Sequence, residues 1–229
     1  MSVPTQVWLQ KLITGSAARD FQSKSARRLL QLACRSRGVE LNAGHLSLPG
    51  PALISLVERD FGLGISLSHC PQLVAVAIGK GRLGLDCEAM GKIRNWQALA
   101  DHFFSQEEAG TIATSSAEEQ ERSFLRHWVL KESYIKSIRG TVFGDLNRLT
   151  LTDRGESAQV ECDEEHKGGW AWVGSFSKCV LGMYNSPSNS PELEFYDATS
   201  EAGAFSRLNN KEVPGSFVPV TCYPRRPLL

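Results

Sequence analysis

Three short runs rich in apolar and β-branched residues, "GISLSH", "LVAVAIG" and "GRLGLDCE", follow one another between Gly64 and Glu88. Only Pro71 and the glycine-flanked stretch 79–81 separate them, which leaves room for turns but not for a helix, so neighbouring strands are expected. The pattern returns from Arg148 onward in "RLTLTD", "AQVEC", "GWAWVGSFS" and "KCVLGMY". A helical segment precedes each strand block. The first, Asp20 to Gly38, has Leu29, Leu30, Leu32 and Ala33 at near-helical spacing and a basic polar face of Lys24, Arg27, Arg28, Arg35 and Arg37. The second, "SFLRHWVLKESYIKSIRG", is the strongest helix of the chain and closes on Gly140; "WQALADHFF" reads as another helix before it. Helix then strands, twice over, predicts an α+β fold of two small lobes, residues 1–82 and 83–185. Residues 186–229, with "NSPSNSPE" and Pro214, Pro219, Pro224 and Pro227, read as an extended or partly ordered C-terminal extension.

A chain of 229 residues, 41% hydrophobic and 22% charged, can bury a substantial core. Its 25 basic and 25 acidic side chains cancel, so overall charge gives no reason to expect nucleic acid or an anionic membrane as partner. Any phosphate site must then be a local cluster. The six cysteines show no C-x-x-C spacing, which suggests reduced thiols in a cytosolic protein and neither a zinc site nor a disulfide framework. With no apolar run suited to a signal peptide or a bilayer span, a soluble cytoplasmic protein is the expectation.

Asp86 and Glu88 stand at the end of the third strand run. Alternate residues of a strand share a face, so the two carboxylates project together while Cys87 points the other way. Like charges held this close need a cation, a proton or a basic side chain between them, and magnesium suits two hard oxygen donors; the plain alternative is a solvated strand end. On the strong helix, Trp128, Lys131, Glu132 and Lys136 recur at helical intervals and form one mixed stripe. Glu132 and Lys136 could be an ordinary exposed i,i+4 pair worth about 0.2–0.5 kcal/mol, yet an indole on the same face implies partial burial, where charges need partners. Ser68 and His69 fall in the turn between two strand runs; a lone histidine there is equally a structural hydrogen bonder. Neither a G-x-S-x-G elbow nor a G-x-x-x-x-G-K-[ST] loop occurs, which argues against a serine hydrolase and a P-loop enzyme.

Taken in order, "ISLSH", "LGLDCE", "FFSQEE" and "FLRHWVLKESYIK" resemble the signature blocks of the 4′-phosphopantetheinyl transferases, in their larger monomeric Sfp-type class. The resemblance runs over about Arg27 to Leu151. It implies two similar α+β halves related by a pseudo-twofold axis with the active site between them, and transfer of the phosphopantetheine arm of coenzyme A to a serine of an acyl or peptidyl carrier protein. It also implies that Asp86, Glu88 and Glu132 hold magnesium, and that Glu108 together with Glu132 accepts the serine proton. Lys136 would lie against the α-phosphate, Lys131 would contribute to coenzyme binding and Trp128 would line the site. Ser68 and His69 match the nucleotide-binding "S-H", and Arg27, or the adjacent Arg28, matches the residue that approaches the 3′-phosphate. The family's upstream "G-K-P" lysine has no counterpart, and Ser66 and Cys70 replace the usual asparagine and serine of the "S-H" block. That departure motivates a second reading, a catalytically weakened module that binds coenzyme A or carrier proteins. Arg122, Arg126 and Arg139 are the basic residues expected to meet an acidic carrier helix.

Overall fold

The computed structural model describes residues 3–12, 19–91, 95–152, 156–162, 169–186, 192–198 and 205–224. In chain order its elements are β1 (Thr5–Lys11), α1 (Arg19–Ser36), α2 (Ala43–Ser47), α3 (Gly50–Phe61), β2 (Gly64–Cys70), β3 (Leu73–Gly79) and β4 (Arg82–Ala89). Then follow α4 (Trp96–Phe103), α5 (Gln106–Thr114), α6 (Ala117–Ile138), α7 (Val142–Asp145), a 3-10 turn (Leu146–Arg148), β5 (Leu149–Thr152), β6 (Ser157–Cys162), β7 (Trp170–Phe176) and β8 (Cys179–Ser186). The last strands are β9 (Leu193–Asp197), β10 (Ser206–Leu208), β11 (Gly215–Val218) and β12 (Val220–Pro224). Among the described residues no helix is long and apolar enough to cross a membrane.

The strands form three sheets, ordered β10-β9-β1-β3-β2, β11-β7-β8-β4 and β12-β6-β5. β2 and β3 make the expected antiparallel hairpin. The third strand run departs from expectation: after Gly79 the chain turns at Gly81, which has φ 80°, and β4 leaves the first sheet to pair with β8 in the second. The reason lies in the residues of β4. Its odd-numbered side chains Leu83, Leu85, Cys87 and Ala89 pack into a core shared with Val7, Leu9, Leu73, Ala75 and Ala77 of the first sheet. Two inner faces therefore meet across one apolar layer. The first sheet is covered outside by α1 and α3, through Leu29, Leu30, Leu53 and Val57. The second is covered by α6, through Leu125, Val129 and Leu130. The order is helices, sheet, sheet, helix, a mixed α+β architecture.

Two glycines set how closely α6 approaches. A Cβ on Gly84 would sit 1.6 Å from the Ser133 carbonyl oxygen, and one on Gly182 would sit 2.5 Å from that of Val129. Glycine inside a strand often marks such close approach of another backbone. α6 ends one residue earlier than its sequence suggests: Arg139, not Gly140, takes the left-handed conformation, with φ 56°. Gly140 is instead the residue that lets the Asp145 carboxylate come near, since a Cβ there would lie 2.6 Å from Oδ2.

The reading of residues 186–229 as an appendage is corrected over the part described. β9 pairs in parallel with β1, β11 completes the second sheet against β7, and β12 pairs in parallel with β6. Prolines punctuate these strands without excluding them, because Pro214 and Pro219 fall between β10, β11 and β12 and need no ladder N–H. The Ser/Pro-rich stretch 187–191 and residues 225–229 lie outside the described residues.

Candidate active site at the seam between two sheets

β2 and β4 are the edge strands of the first two sheets and run side by side, but no backbone ladder joins them. Serine hydroxyls take that place. The Leu85 N–H donates to Ser66 Oγ at 2.9 Å, and the Cys87 N–H donates to Ser68 Oγ at 3.2 Å. The alternation "S-L-S" puts both hydroxyls on the face that meets β4. Because Leu85 and Cys87 point into the core, Gly84, Asp86 and Glu88 point the other way, toward α6. The acids thus stand where an edge strand, a helix and a neighbouring edge converge.

Asp86 is 5% exposed. Its Oδ1 accepts from Ser68 Oγ at 2.9 Å and from the Lys136 ammonium at 2.7 Å. Lys136 also donates to Ser68 Oγ at 3.2 Å and to the Leu85 carbonyl at 3.1 Å. Burial opposes the ammonium charge, but the Asp86 carboxylate outweighs it and raises Lys136 above its usual value. The second oxygen, Asp86 Oδ2, is buried with no hydrogen-bond partner. A buried acceptor without a donor is costly, and such groups mark places where a further ligand fits. Glu132, one turn before Lys136, is raised above the ordinary carboxylate range, first by burial and then by the negative charge of Asp86, with Lys136 acting the other way. Glu88 is half-buried on the same face of β4.

Asp86 and Glu132 are close enough to feel one another, yet among the described residues no three acidic, histidine or cysteine side chains stand in ready metal-binding geometry. The donor set nevertheless suits a hard cation: carboxylates, one with an orphaned oxygen and one destabilised as an anion, beside a single balancing ammonium.

His69 lies on the opposite, solvent-facing side of β2 from Ser68, and partial desolvation of its ring, followed by the charge of Lys136, lowers its basicity. Trp128 is half-buried and packs on aromatic rings rather than on the acids: Phe124 stacks at 5.7 Å between centroids and Phe103 meets it edge-on at 5.9 Å.

The structure directs three predicted residues elsewhere. Glu108 is 1% exposed, with both oxygens engaged: Oε1 accepts from the Leu151 N–H and from Lys131 at 3.0 Å, and Oε2 accepts from the Ser105 N–H in a capping box at the start of α5. Both oxygens thus serve structural partners and face away from bulk solvent. Lys131 is equally enclosed, donating to the carbonyls of Leu149 at 2.6 Å and Leu146 at 3.3 Å and lying over the Phe104 ring. Burial lowers its pKa, whereas Glu108, despite burial, is held below its usual range by Lys131 and by the two N–H donors. The single stripe therefore splits. Lys131 and Lys136 are five residues apart, far from a whole number of helical turns, so one faces α5 and the other β4. Arg27 donates to the carbonyls of Leu46 and Leu48 and so fastens the end of α2; Arg28 is exposed.

The basic residues flanking the helix also divide. Arg139 pairs with Glu58 of α3. Arg122 and Arg126 line a groove of 1480 Å³ between the first turns of α6 and strands β7 and β11, together with Glu119 and Glu156. Sequence reasoning missed Ser66 as a link between the two sheets, and Gly84 and Gly182 as the contacts that bring α6 down onto the acids. The signal for the glycines was present in "LGLD" and "VLGMY", as isolated glycines within strand runs.

Residues 82–182, from the first residue of β4 to Gly182 of β8, match the model of the 4′-phosphopantetheinyl transferase superfamily. This segment, 101 of the 229 residues, is similar to that superfamily. It holds Asp86, Glu88, Glu108, Trp128, Lys131, Glu132 and Lys136, and leaves Arg27, Ser68 and His69 outside. Among curated proteins, the 4′-phosphopantetheinyl transferase gsp of Aneurinibacillus migulanus is 31% identical over 101 residues, 44% of this chain and 41% of the relative. The 4′-phosphopantetheinyl transferase HetI of Nostoc is 31% identical over 79 residues, 34% of this chain and 33% of its own length. The 4′-phosphopantetheinyl transferase psf-1 of Bacillus pumilus is 35% identical over 71 residues, 31% of this chain and 30% of its own. The alignments thus span well under half of each curated relative.

Proposed function

We propose that the protein is a magnesium-dependent 4′-phosphopantetheinyl transferase that moves the phosphopantetheine arm of coenzyme A to a serine of an acyl or peptidyl carrier protein. The observation that carries this reading is the half-satisfied carboxylate at the seam: Asp86 Oδ1 balanced by Lys136, Asp86 Oδ2 without a donor, and Glu132 pushed toward the protonated form beside it. The superfamily match over the segment that holds these residues supports it.

In this reading Asp86, Glu88 and Glu132 hold the cation, which would offset negative charge on the pyrophosphate of coenzyme A and on the departing adenosine 3′,5′-bisphosphate. Ser68 and Lys136 keep Asp86 in one orientation, and Lys136, whose side chain is 32% exposed, would reach a phosphate oxygen by exchanging one of its three present acceptors. His69, at the exposed edge of β2, is the second donor for the nucleotide. With Glu108 engaged elsewhere, the proton of the carrier serine goes to Glu132, directly or through a water. The new serine–phosphorus bond forms as the bond to the bridging pyrophosphate oxygen breaks.

The test is incubation with coenzyme A, magnesium and a panel of unmodified carrier proteins, each read by intact mass spectrometry. A gain of one phosphopantetheine on a carrier is the expected result. Coenzyme A binding with no modified carrier at any magnesium concentration would overturn the transferase reading in favour of a binding module.

A further inference from the structure

Three thiols from three strands meet in the apolar layer between the first two sheets: Cys70 at the end of β2, Cys87 in β4 and Cys179 at the start of β8. Cys70 Sγ and Cys179 Sγ are 3.5 Å apart. Their residues are 109 apart in the chain, so this proximity is a product of the fold alone. Nothing in the proposed transfer uses these sulfurs. They lie beneath the two-residue turn Pro71–Gln72, whose Gln72 side chain carbonyl is 4.0 Å from Cys179 Sγ. Cys70 is 4% and Cys179 1% exposed, which admits a small oxidant during brief opening of the turn and excludes a protein-sized one. Hydrogen bonds from Cys179 and Cys87 favour the thiolate form of Cys70 and outweigh its burial.

We propose that Cys70 and Cys179 are a modification site, forming a reversible disulfide in the presence of a hydroperoxide and so stapling the first sheet to the second. The Cys70 thiolate attacks one peroxide oxygen, the oxygen–oxygen bond breaks, and hydroxide leaves a sulfenic acid on Cys70. The Cys179 thiol then attacks that sulfur, and the hydroxyl departs as water with the thiol's proton. The two sulfurs lose two electrons in total and the peroxide gains them. The sulfurs must close by about 1.5 Å to reach a bond length of about 2.05 Å. Both cysteines are free thiols in the structure. The inference is independent of the transferase reading, because its readout is covalent structure and not activity.

The experiment treats the folded full chain with hydrogen peroxide, blocks remaining thiols with N-ethylmaleimide, digests with pepsin without reductant and maps peptides by mass spectrometry. The expected product joins the peptides holding Cys70 and Cys179, two hydrogens lighter than their sum, and dithiothreitol separates it. Cys70→Ser removes the product and Cys222→Ser leaves it. Should Cys70→Ser fail to fold, the map of the unaltered chain decides. Recovery of both cysteines as maleimide adducts, irreversible sulfinic or sulfonic acid on Cys70, or a link from either cysteine to Cys34 or Cys87 would each overturn the proposal.

Discussion

Replacing Gly84 by alanine tests how the acid cluster is assembled. The added methyl group would lie 1.6 Å from the Ser133 carbonyl oxygen, 2.7 Å from the Ser133 carbonyl carbon and 2.8 Å from the Ser137 nitrogen, all backbone atoms of α6. Since Cβ atoms essentially never come within 3.0 Å of such atoms, α6 must back away from β4 by about 1.4 Å. Side chains cannot absorb this, because the clash is with the helix itself. The cost of overpacking is typically about 1–3 kcal/mol, and the backbone nature of the contact places it at the upper end. For a chain of this size that lowers Tm by about 6–12 °C. The same displacement carries Glu132 and Lys136 away from Asp86, stretching the 2.7 Å ion pair toward 4 Å. A misplacement near 1 Å costs on the order of 100-fold in rate where geometry is decisive. Thermal melting followed by circular dichroism and carrier modification by mass spectrometry measure the two effects. Gly110→Ala in α5 is the control: a Cβ there meets nothing within 4 Å, and a helical glycine replaced by alanine gains roughly 0.5–1 kcal/mol. Gly84→Ala with unchanged melting and transfer within twofold of the parent would refute the close-approach argument.

Glu132→Gln is expected to abolish transfer and to melt higher than the parent at neutral pH. An acid raised in the folded state binds its proton more tightly there than in the unfolded chain, so ionisation at neutral pH costs stability and that cost disappears as pH falls toward the ordinary value of 4.5; melting curves of both proteins across pH 4–8 should converge at the acid end. Asp86→Asn is expected to lose transfer and to weaken the rise in Tm expected of the parent with magnesium and coenzyme A, since the variant lacks one of the three carboxylates proposed to hold the cation; an equal rise in both proteins would remove Asp86 from the site. Lys131→Met leaves Glu108 buried without its cation and should cost about 3–5 kcal/mol in urea unfolding, a deficit that narrows as pH falls and Glu108 takes up a proton. A small loss, or one that grows in acid, would show that the pair does not hold α5, α6 and β5 together.

The strand–helix–strand rhythm and the positions of Asp86, Glu132 and Lys136 are legible because they rest on local periodicity. Alternation in "LGLDCE" decides which residues face the core, and the helical repeat puts Glu132 and Lys136 on one side. What stayed hidden depends on partners distant in the chain. Lys131 carries the same charge as Lys136 five residues later, and only the arrival of Ser105, Glu108 and Leu149 from other elements gives it an enclosed structural role. Likewise Arg27 reads as a phosphate ligand until the carbonyls of Leu46 and Leu48 are seen to occupy it. The departure of β4 to a second sheet was unreadable in the sequence of β4 alone, because both of its candidate neighbours, β3 and β8, are apolar strands of similar length.

The parallel pairing of Thr5 with Leu193 means that β1 reaches its second neighbour only after 188 further residues have been made. During synthesis at the ribosome one edge of β1 stays bare, as does the edge of β7 that β11 later covers. Pairings between such remote segments form late and slowly. Expression yield should accordingly depend on chaperone supply, and should fall steeply for nascent chains released before Val218.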